Sequence, residues 1–310
     1  MDVRQLQYFL AVVDHGGFTR AATALYVAQP SLSQTIRTLE RDLGTQLFHR
    51  LGRTAVLTGA GAALIEPARA AVRSLELARA TVAAVHGLDR GRVDIAALPS
   101  QAVEPLTGLI RRFAQRYPRV SVAVQSAATP RDVTERVRTG AAELGLVAVP
   151  GPLGEGWPAG DPGQLRYHPL GEQRFVLLAP PGGPFAAGAP VRREELAGQR
   201  LIVGQPGTGM RQYADALRSD GVDWTVAVET EHRVAIVPLV LGGVGLAVVT
   251  DAWREPAERA GALVLDLEPA AGLHLALVSR RTAPTPAARA FLDGALEAGG
   301  GPGRSGPAHP

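Results

Sequence analysis

The sequence predicts an α/β chain preceded by an all-α winged helix-turn-helix unit, the two joined by a long linker helix. Three patterns lead there. Apolar residues recur at helical spacing through the first 58 positions and end in a basic hairpin. An apolar seam stepping alternately by four and three runs through 59–87. From 91 onward short strand-like and helix-like runs alternate, the signature of α/β architecture.

The front of the chain reads as three helices. Leu6, Phe9, Leu10 and Val13 share one face of the first, which Gly16-Gly17 stops. The second covers Thr19–Leu25, with Thr19 placed as its N-cap and the small Ala21 and Ala22 permitting a close crossing. After the brief connection Tyr26–Gln29, the third opens with Pro30, a residue suited to a first helical position, and closes at Gly44. Leu32, Ile36, Leu39 and Leu43 form its apolar stripe. The opposite pole carries Pro30, Gln34, Arg37, Thr38 and Arg41, flanked by Ser31 and Ser33. Short hydroxyls, an amide and guanidinium groups are what base edges and phosphates hydrogen-bond, although a polar stripe equally suits a solvated helix face. The sequel favours the former: residues 49–58 (HRLGRTAVLT) form a tight, basic, Gly-turned hairpin behind the helices.

Composition narrows the chemistry. The 310 residues are enough for two or three domains, and 46% are apolar. All 32 basic residues are Arg, and there is no Cys. The absence of Lys excludes Schiff-base catalysis and a phosphate-loop lysine; the absence of Cys excludes thiol nucleophiles, disulfides and thiolate-held metals. The net charge of +3 sits wholly in residues 1–90, where 10 Arg face 7 acids, which suits an anionic partner there. No secretory signal is visible, and the most apolar stretch, Val234–Thr250, is broken by Pro238 and by Gly242-Gly243. A cytoplasmic protein without membrane association is expected.

The segment FTRAATALYVAQPSLSQTIRTLERDLGTQLFHR (18–50), continued by RTAVLTGAG (53–61), resembles the winged helix-turn-helix of the LysR-type transcriptional regulators. The pattern is met at Phe18, Ala21-Ala22, Leu25, Gln29-Pro30, Ser33, Ile36, Leu39-Glu40, Leu43-Gly44, Leu47-Phe48, Arg50, Leu57-Thr58 and Gly61. Gly17 stands where Ser is usual, and Gln34 where Arg is frequent, so base preference at the latter position differs. The resemblance implies binding of double-stranded promoter DNA. Ser31, Ser33, Gln34 and Arg37 would read bases, while Gln29, Arg50, Arg53 and Thr54 would hold phosphates or the minor groove, with Pro30 at the helix start. It also makes the stretch 59–87 a linker helix. Its seam Leu64, Ala68, Ala71, Leu75, Ala78, Val82 and Val85 suits packing either on its own domain or on a second copy of the chain. Pro67 implies a kink or a late start. Self-association as a dimer or dimer of dimers follows, with RNA polymerase as a further candidate partner.

The remainder reads as strands at 92–98, 120–125, 144–149, 174–179, 200–203, 225–229, 245–249 and 273–278. Helices are read at 103–116, 131–138, 210–219, 234–241 and 287–298. It resembles the same family's two-lobed, periplasmic-binding-protein-like regulatory domain, more loosely, through Phe113 with Tyr117-Pro118, Gly140 before Glu143–Leu146, and Gly242–Val249. The expected domains are 1–58, 59–87 and 91–298, with lobe one about 91–163 and 268–298 and lobe two about 164–267. The first crossing between lobes is placed near 163–169 and the second near 264–270. Residues 299–310 (GGGPGRSGPAHP) are expected to be a disordered tail.

Ligands in such folds sit at the carboxyl ends of strands. That nominates Ser100, Gln101, Ala128, Thr129, Val147, Gln205, Thr208 and Thr250, together with His232 from the run Glu231-His232-Arg233. A small-molecule effector is expected, an organic acid being the candidate class, with Ser100 and Thr129 as the cradle for a carboxylate. Helix-start hydroxyls are equally well explained as caps. No cofactor or metal is expected, since the seven His are dispersed without ligand spacing. The phosphate-loop look of 204–209 (GQPGTG) fails where Met210-Arg211 follows. Not an enzyme but a regulator is the reading; the alternative is a solute-binding or catalytic α/β protein with a helical appendage.

Overall fold

The computed structural model describes residues 1–51, 54–84, 91–151 and 163–299. They form two compact units, one built mainly from Met1–Gly87 and the other from Leu88–Arg138 and Ala142–Pro310.

The first unit comprises α1 (Val3–Asp14), α2 (Phe18–Ala24), α3 (Gln29–Leu43), the antiparallel pair β1 (Phe48–Leu51) and β2 (Thr54–Leu57), and α4 (Gly59–Ala84). Asp2 and Gln5 cap α1 reciprocally: each backbone N–H donates to the other's side chain, at 2.7 and 2.8 Å, which satisfies two otherwise orphan donors. Leu6, Phe9 and Val12 from α1, Ala21 from α2, and Leu32, Ile36 and Leu39 from α3 share one core. The Phe48 ring closes it, with centroids 5.5 Å from Phe9 and 5.4 Å from Phe18. One carboxylate oxygen of Glu40 accepts from the backbone N–H groups of Leu47, at 2.9 Å, and Phe48, at 3.3 Å, fastening the hairpin to α3. Thr58 ties the start of α4, accepting from Gly61 N–H and donating to the Gln46 carbonyl.

Three local expectations change. Thr19 does not cap α2: Gly17 holds that position, and the Thr19 carbonyl accepts from the Thr23 hydroxyl inside the helix. Leu43 is 37% exposed, because Gly44, at φ 70°, turns the chain away directly after it. Pro67 neither delays nor begins α4, which runs through it from Gly59. The first half of α4 packs on the core through Ala60, Leu64, Ile65, Ala68 and Val72. Further along the seam, Ala71, Ala78 and Val82 are exposed and Leu75 is half-buried; Val85 lies outside the described residues.

The second unit begins with β3 (Gly91–Ala97), α5 (Pro99–Val103), α6 (Leu106–Arg116), β4 (Val120–Ser126), α7 (Pro130–Thr139) and β5 (Leu144–Val149). There follow β6 (Leu165–Ala179), β7 (Val191–Arg192), β8 (Arg200–Val203), α8 (Gly209–Ser219), β9 (Thr225–Glu229), α9 (Ile236–Leu241) and β10 (Leu246–Thr250). Last come α10 (Arg254–Arg259), β11 (Leu263–Glu268), β12 (Gly272–Arg280) and α11 (Pro286–Gly299). The strands run in the order β4-β3-β5-β12-β6-β10-β8-β9, with β11 attached to β6 and β7.

The 15-residue β6 joins two lobes. Its Leu165–Arg174 stretch pairs with β12 in lobe one, and Phe175–Ala179 pairs with β10 and β11 in lobe two. The first crossing therefore falls at Arg174–Phe175, not near 163–169, and the second between Glu268 and Gly272. Pro169 and Gly171, opposite a bulge at Leu275/Ala276, interrupt the alternation that would have marked the front of β6 as strand. The helix expected at 103–116 starts at Leu106, after Pro105, and Val103 instead ends the separate, unanticipated α5. The helix expected at 234–241 opens with a 3-10 turn, Arg233–Ala235, while α10 and β11 were not anticipated. Residues 152–162 and 300–310 lie outside the described residues, and Gly299 belongs to α11. Among the described residues no helix is long and apolar enough to cross a membrane.

A Cβ on Gly61 would lie 2.1 Å from the Leu47 carbonyl oxygen, whereas one on Gly59 would meet nothing within 4 Å. Gly61→Ala is expected to lower the thermal midpoint of the first unit by the equivalent of about 1–3 kcal/mol, and Gly59→Ala to leave it unchanged or raise it, as read by circular dichroism melting.

Candidate functional sites

In the first unit α3 divides sharply. Leu32, Ile36 and Leu39 are at most 2% exposed, while Gln29, Pro30, Ser31, Gln34 and Arg37 face solvent and Ser33 is half-buried. The helix dictates this split: at 100° per residue the stripe and the polar residues cannot share a side. Gln29 Nε2 donates to Ser33 Oγ at 3.2 Å, one turn on, which fixes both at the start of the helix. The hydroxyls of Thr35 and Thr38 are turned inward on the carbonyls of Ser31 and Gln34, leaving Gln34 and Arg37 the longest free reach on that face. Among the described residues Arg37 enters no ion pair. Arg50 and Thr54 stand in the hairpin, opposite Ala55 and Leu51, and Arg53 lies outside the described residues.

Tyr26 was not singled out by the sequence. It stands in the turn between α2 and α3 at φ 54°, rare for a residue with a side chain, and is 97% exposed. The only sequence signal was an aromatic in a four-residue connection.

In the second unit a small cavity, about 30 Å³, lies where β3, β5, β8 and β10 end. Ser100, Gln101, Ala128, Thr208 and Thr250 line it, with Leu98, Ala148, Phe175, Met210, Arg233, Ile236, Trp253 and Leu273. The other sequence candidates are placed elsewhere. Thr129 caps α7: its hydroxyl accepts from Asp132 N–H at 3.2 Å, while its own N–H donates to the Asp132 carboxylate at 3.1 Å. Val147 is packed in the lobe-one core, Gln205 is exposed in the β8–α8 turn, and His232 is an exposed neighbour of Glu231. Of the run 231–233, Arg233 rather than His232 reaches the cavity.

Thr208 caps α8, accepting from Arg211 N–H at 3.4 Å and donating to the Gln205 carbonyl at 2.8 Å. Gln101 Nε2 donates to Gln173 Oε1 at 3.1 Å, and Gln173 Nε2 donates to the Glu104 carbonyl at 2.8 Å. This buried relay ties the cavity wall to β6 one residue before the lobe crossing. Gln173 also lines a wider hollow of about 530 Å³ with Glu104, Arg112, Asp251, Arg254 and Glu255. Burial raises the Asp251 carboxyl above its ordinary value, with Arg174 and Arg254 opposing that shift. A cavity of 30 Å³ holds about one or two waters, far below the several hundred Å³ of a typical ligand site, so in this conformation it is closed to an organic ligand. Among the described residues no group of three or more His, Asp or Glu could hold a metal ion.

Comparison with known proteins places this geometry. Residues 3–62 match the family model described as bacterial regulatory helix-turn-helix protein, lysR family, and residues 86–300 match that of the LysR substrate binding domain. The HTH-type transcriptional regulator TfdS of Cupriavidus pinatubonensis is 29% identical over 311 residues, covering 94% of this chain and 97% of its own. Among solved structures, a full-length OxyR variant from Pseudomonas aeruginosa superposes with a TM-score of 0.72 at 20% identity, covering 96% of this chain and 94% of that one. Full-length CbnR complexed with its target DNA gives 0.66 at 21% identity, covering 96% of this chain and 100% of that one.

Replacing Gln173 by Leu leaves the buried Gln101 amide without its acceptor and removes the donor to the Glu104 carbonyl. Gln173→Leu is expected to cost about 1–3 kcal/mol in denaturant unfolding, and the double variant with Gln101→Leu to recover part of that loss, a coupling that a double-mutant cycle reads directly.

Proposed function

The chain belongs to the LysR family of transcriptional regulators, and on that premise we propose that α3 enters the major groove of promoter DNA while the cleft of the second unit holds the small molecule that sets its activity. As a member of that family it is a DNA-binding transcription regulator with an effector-binding domain, not an enzyme. Ser31, Ser33, Gln34 and Arg37 read base edges; Gln29, Arg50, Arg53 and Thr54 hold the backbone or minor groove, with Pro30 starting the helix between them. Tyr26 joins them as a phosphate contact from the turn. The observation that carries this reading is the division of α3, whose apolar stripe is consumed by the core while its amide and guanidinium face solvent. The shared fold with CbnR, whose structure includes its target DNA, supports the docking mode.

The working assembly is a homodimer or a dimer of dimers, because two recognition helices must sit about one DNA turn apart. The exposed Ala71, Ala78 and Val82 of α4 supply a seam for pairing with a second copy. Ser100, Gln101, Thr208 and Thr250 are the polar contacts of an organic-acid effector, with Ala128 as a wall. The effector favours one closure of the lobes, and that preference biases the equilibrium between two DNA-bound assemblies. A cytoplasmic location and contact with RNA polymerase at the promoter belong to the same proposal.

A gel shift on the DNA upstream of its own gene, repeated over salt concentration, tests this. Arg53→Ala is expected to lower the slope of log affinity against log salt by about 1, and Arg37→Ala to relax sequence preference. Deleting residues 1–58 is expected to abolish promoter binding; equal binding to promoter and bulk competitor by the intact chain would contradict the reading.

A further inference from the structure

We propose that Arg233 is the anchor for the effector's negative charge, and that the effector is a small monoanion with an apolar body, of the monocarboxylate class. This rests on the assignment of the cleft as the effector site. The Arg233 side chain is half-buried, yet among the described residues no carboxylate lies within ion-pair distance of it. Its one recorded hydrogen bond goes from Nη1 to the Met210 thioether, at 2.8 Å, a weak acceptor. Burial alone lowers its pKa from the ordinary value, with no acidic neighbour to restore it. A charge drawn partly out of water gains from a partner, so a lone guanidinium lining a cavity is a site short of an anion.

Two further side chains in the same cavity are also short of a partner. Thr250 is 5% exposed and Trp253 8% exposed, and neither Thr250 Oγ1 nor Trp253 Nε1 has a hydrogen-bond partner. Native structures leave few such atoms, and these two converge on one small space with Arg233. A Cβ on Gly204 would lie 2.9 Å from Arg233 Nη1 and 2.6 Å from Thr208 Oγ1, so the bare backbone at the β8–α8 turn is what lets guanidinium and cap approach each other.

The lining also limits the ligand's charge. Arg233 is its only cation and it contains no Asp or Glu, so one negative charge is neutralised and a second is not. Leu98, Phe175, Ile236 and Leu273 make the rest of the wall apolar, which suits a hydrocarbon body and opposes a polyhydroxylated one.

The test is calorimetric titration of the full-length protein, and of its Arg233→Gln and Arg233→Lys variants, with acetate, butyrate, benzoate, benzamide and inorganic phosphate. At least one carboxylate is expected to bind the unaltered protein, Arg233→Gln to weaken it tenfold or more, and Arg233→Lys to retain part. Benzamide, which lacks the charge, and phosphate are expected to bind more weakly than the best carboxylate. Without ligand, Arg233→Gln is expected to hold or raise the melting temperature, because an unpaired, half-buried charge is removed; a clear fall would mark Arg233 as structural and overturn the proposal. So would carboxylate binding that is unchanged in Arg233→Gln. Benzamide or phosphate binding as tightly as the carboxylates, with a matching change in the promoter gel shift, overturns the monoanion assignment and leaves the effector cleft standing. Binding of none of the probes, with a promoter complex indifferent to all of them, overturns both.

Discussion

What α3 can offer to a partner is set by what it must hide. In so small a helical unit the burial of Leu32, Ile36 and Leu39 against Leu6, Phe9 and Val12 is the main source of stability, and it fixes the rotation of the helix about its own axis. A rotation that exposed Ile36 would bring Gln34 or Arg37 into an apolar core at far greater cost. The polar face is therefore held outward by the same contacts that hold the fold together. Glu40 extends the constraint to the hairpin by taking the backbone N–H groups of Leu47 and Phe48, so helix and wing are presented as one surface.

The second unit applies a related economy. Its strands end together where the lobes meet, and the residues just beyond them start helices or turns whose polar groups need partners. Most find them locally, as Thr208 and Thr129 do by capping. Thr250, Trp253 and Arg233 do not, and they share one cavity. The Gln101–Gln173–Glu104 relay links that cavity to β6 beside the crossing, the strand shared by both lobes.

Much of this was legible in the sequence, for identifiable reasons. The three front helices follow from periodicity and from Gly16, Gly17 and Gly44, because local pattern and tertiary burial agree there. The α/β alternation was readable from short apolar runs, but the length of β6 was not: Pro169 and Gly171 look like loop punctuation until β12 is seen to pair across them. At the candidate site, the chain order of helix starts nominated Ser100, Gln101, Thr208 and Thr250, which the fold brings to one cavity. It could not tell a hydroxyl occupied as a cap, as in Thr129, from one left over, as in Thr250, since that depends on three-dimensional partners. That Arg233 and not His232 lines the cavity was hidden for a related reason: an exposed His and a half-buried Arg one residue apart look alike in one dimension.

The central claim is that the outward face of α3 meets base edges in the major groove. Methylation interference on the bound promoter fragment measures this most directly, since methyl groups on guanine N7 obstruct the major groove and those on adenine N3 obstruct the minor. The account predicts guanine interference in two clusters separated by a whole number of helical turns, weakened when Arg37 is replaced. Interference confined to adenines, or none at guanines anywhere in the protected region, would contradict it.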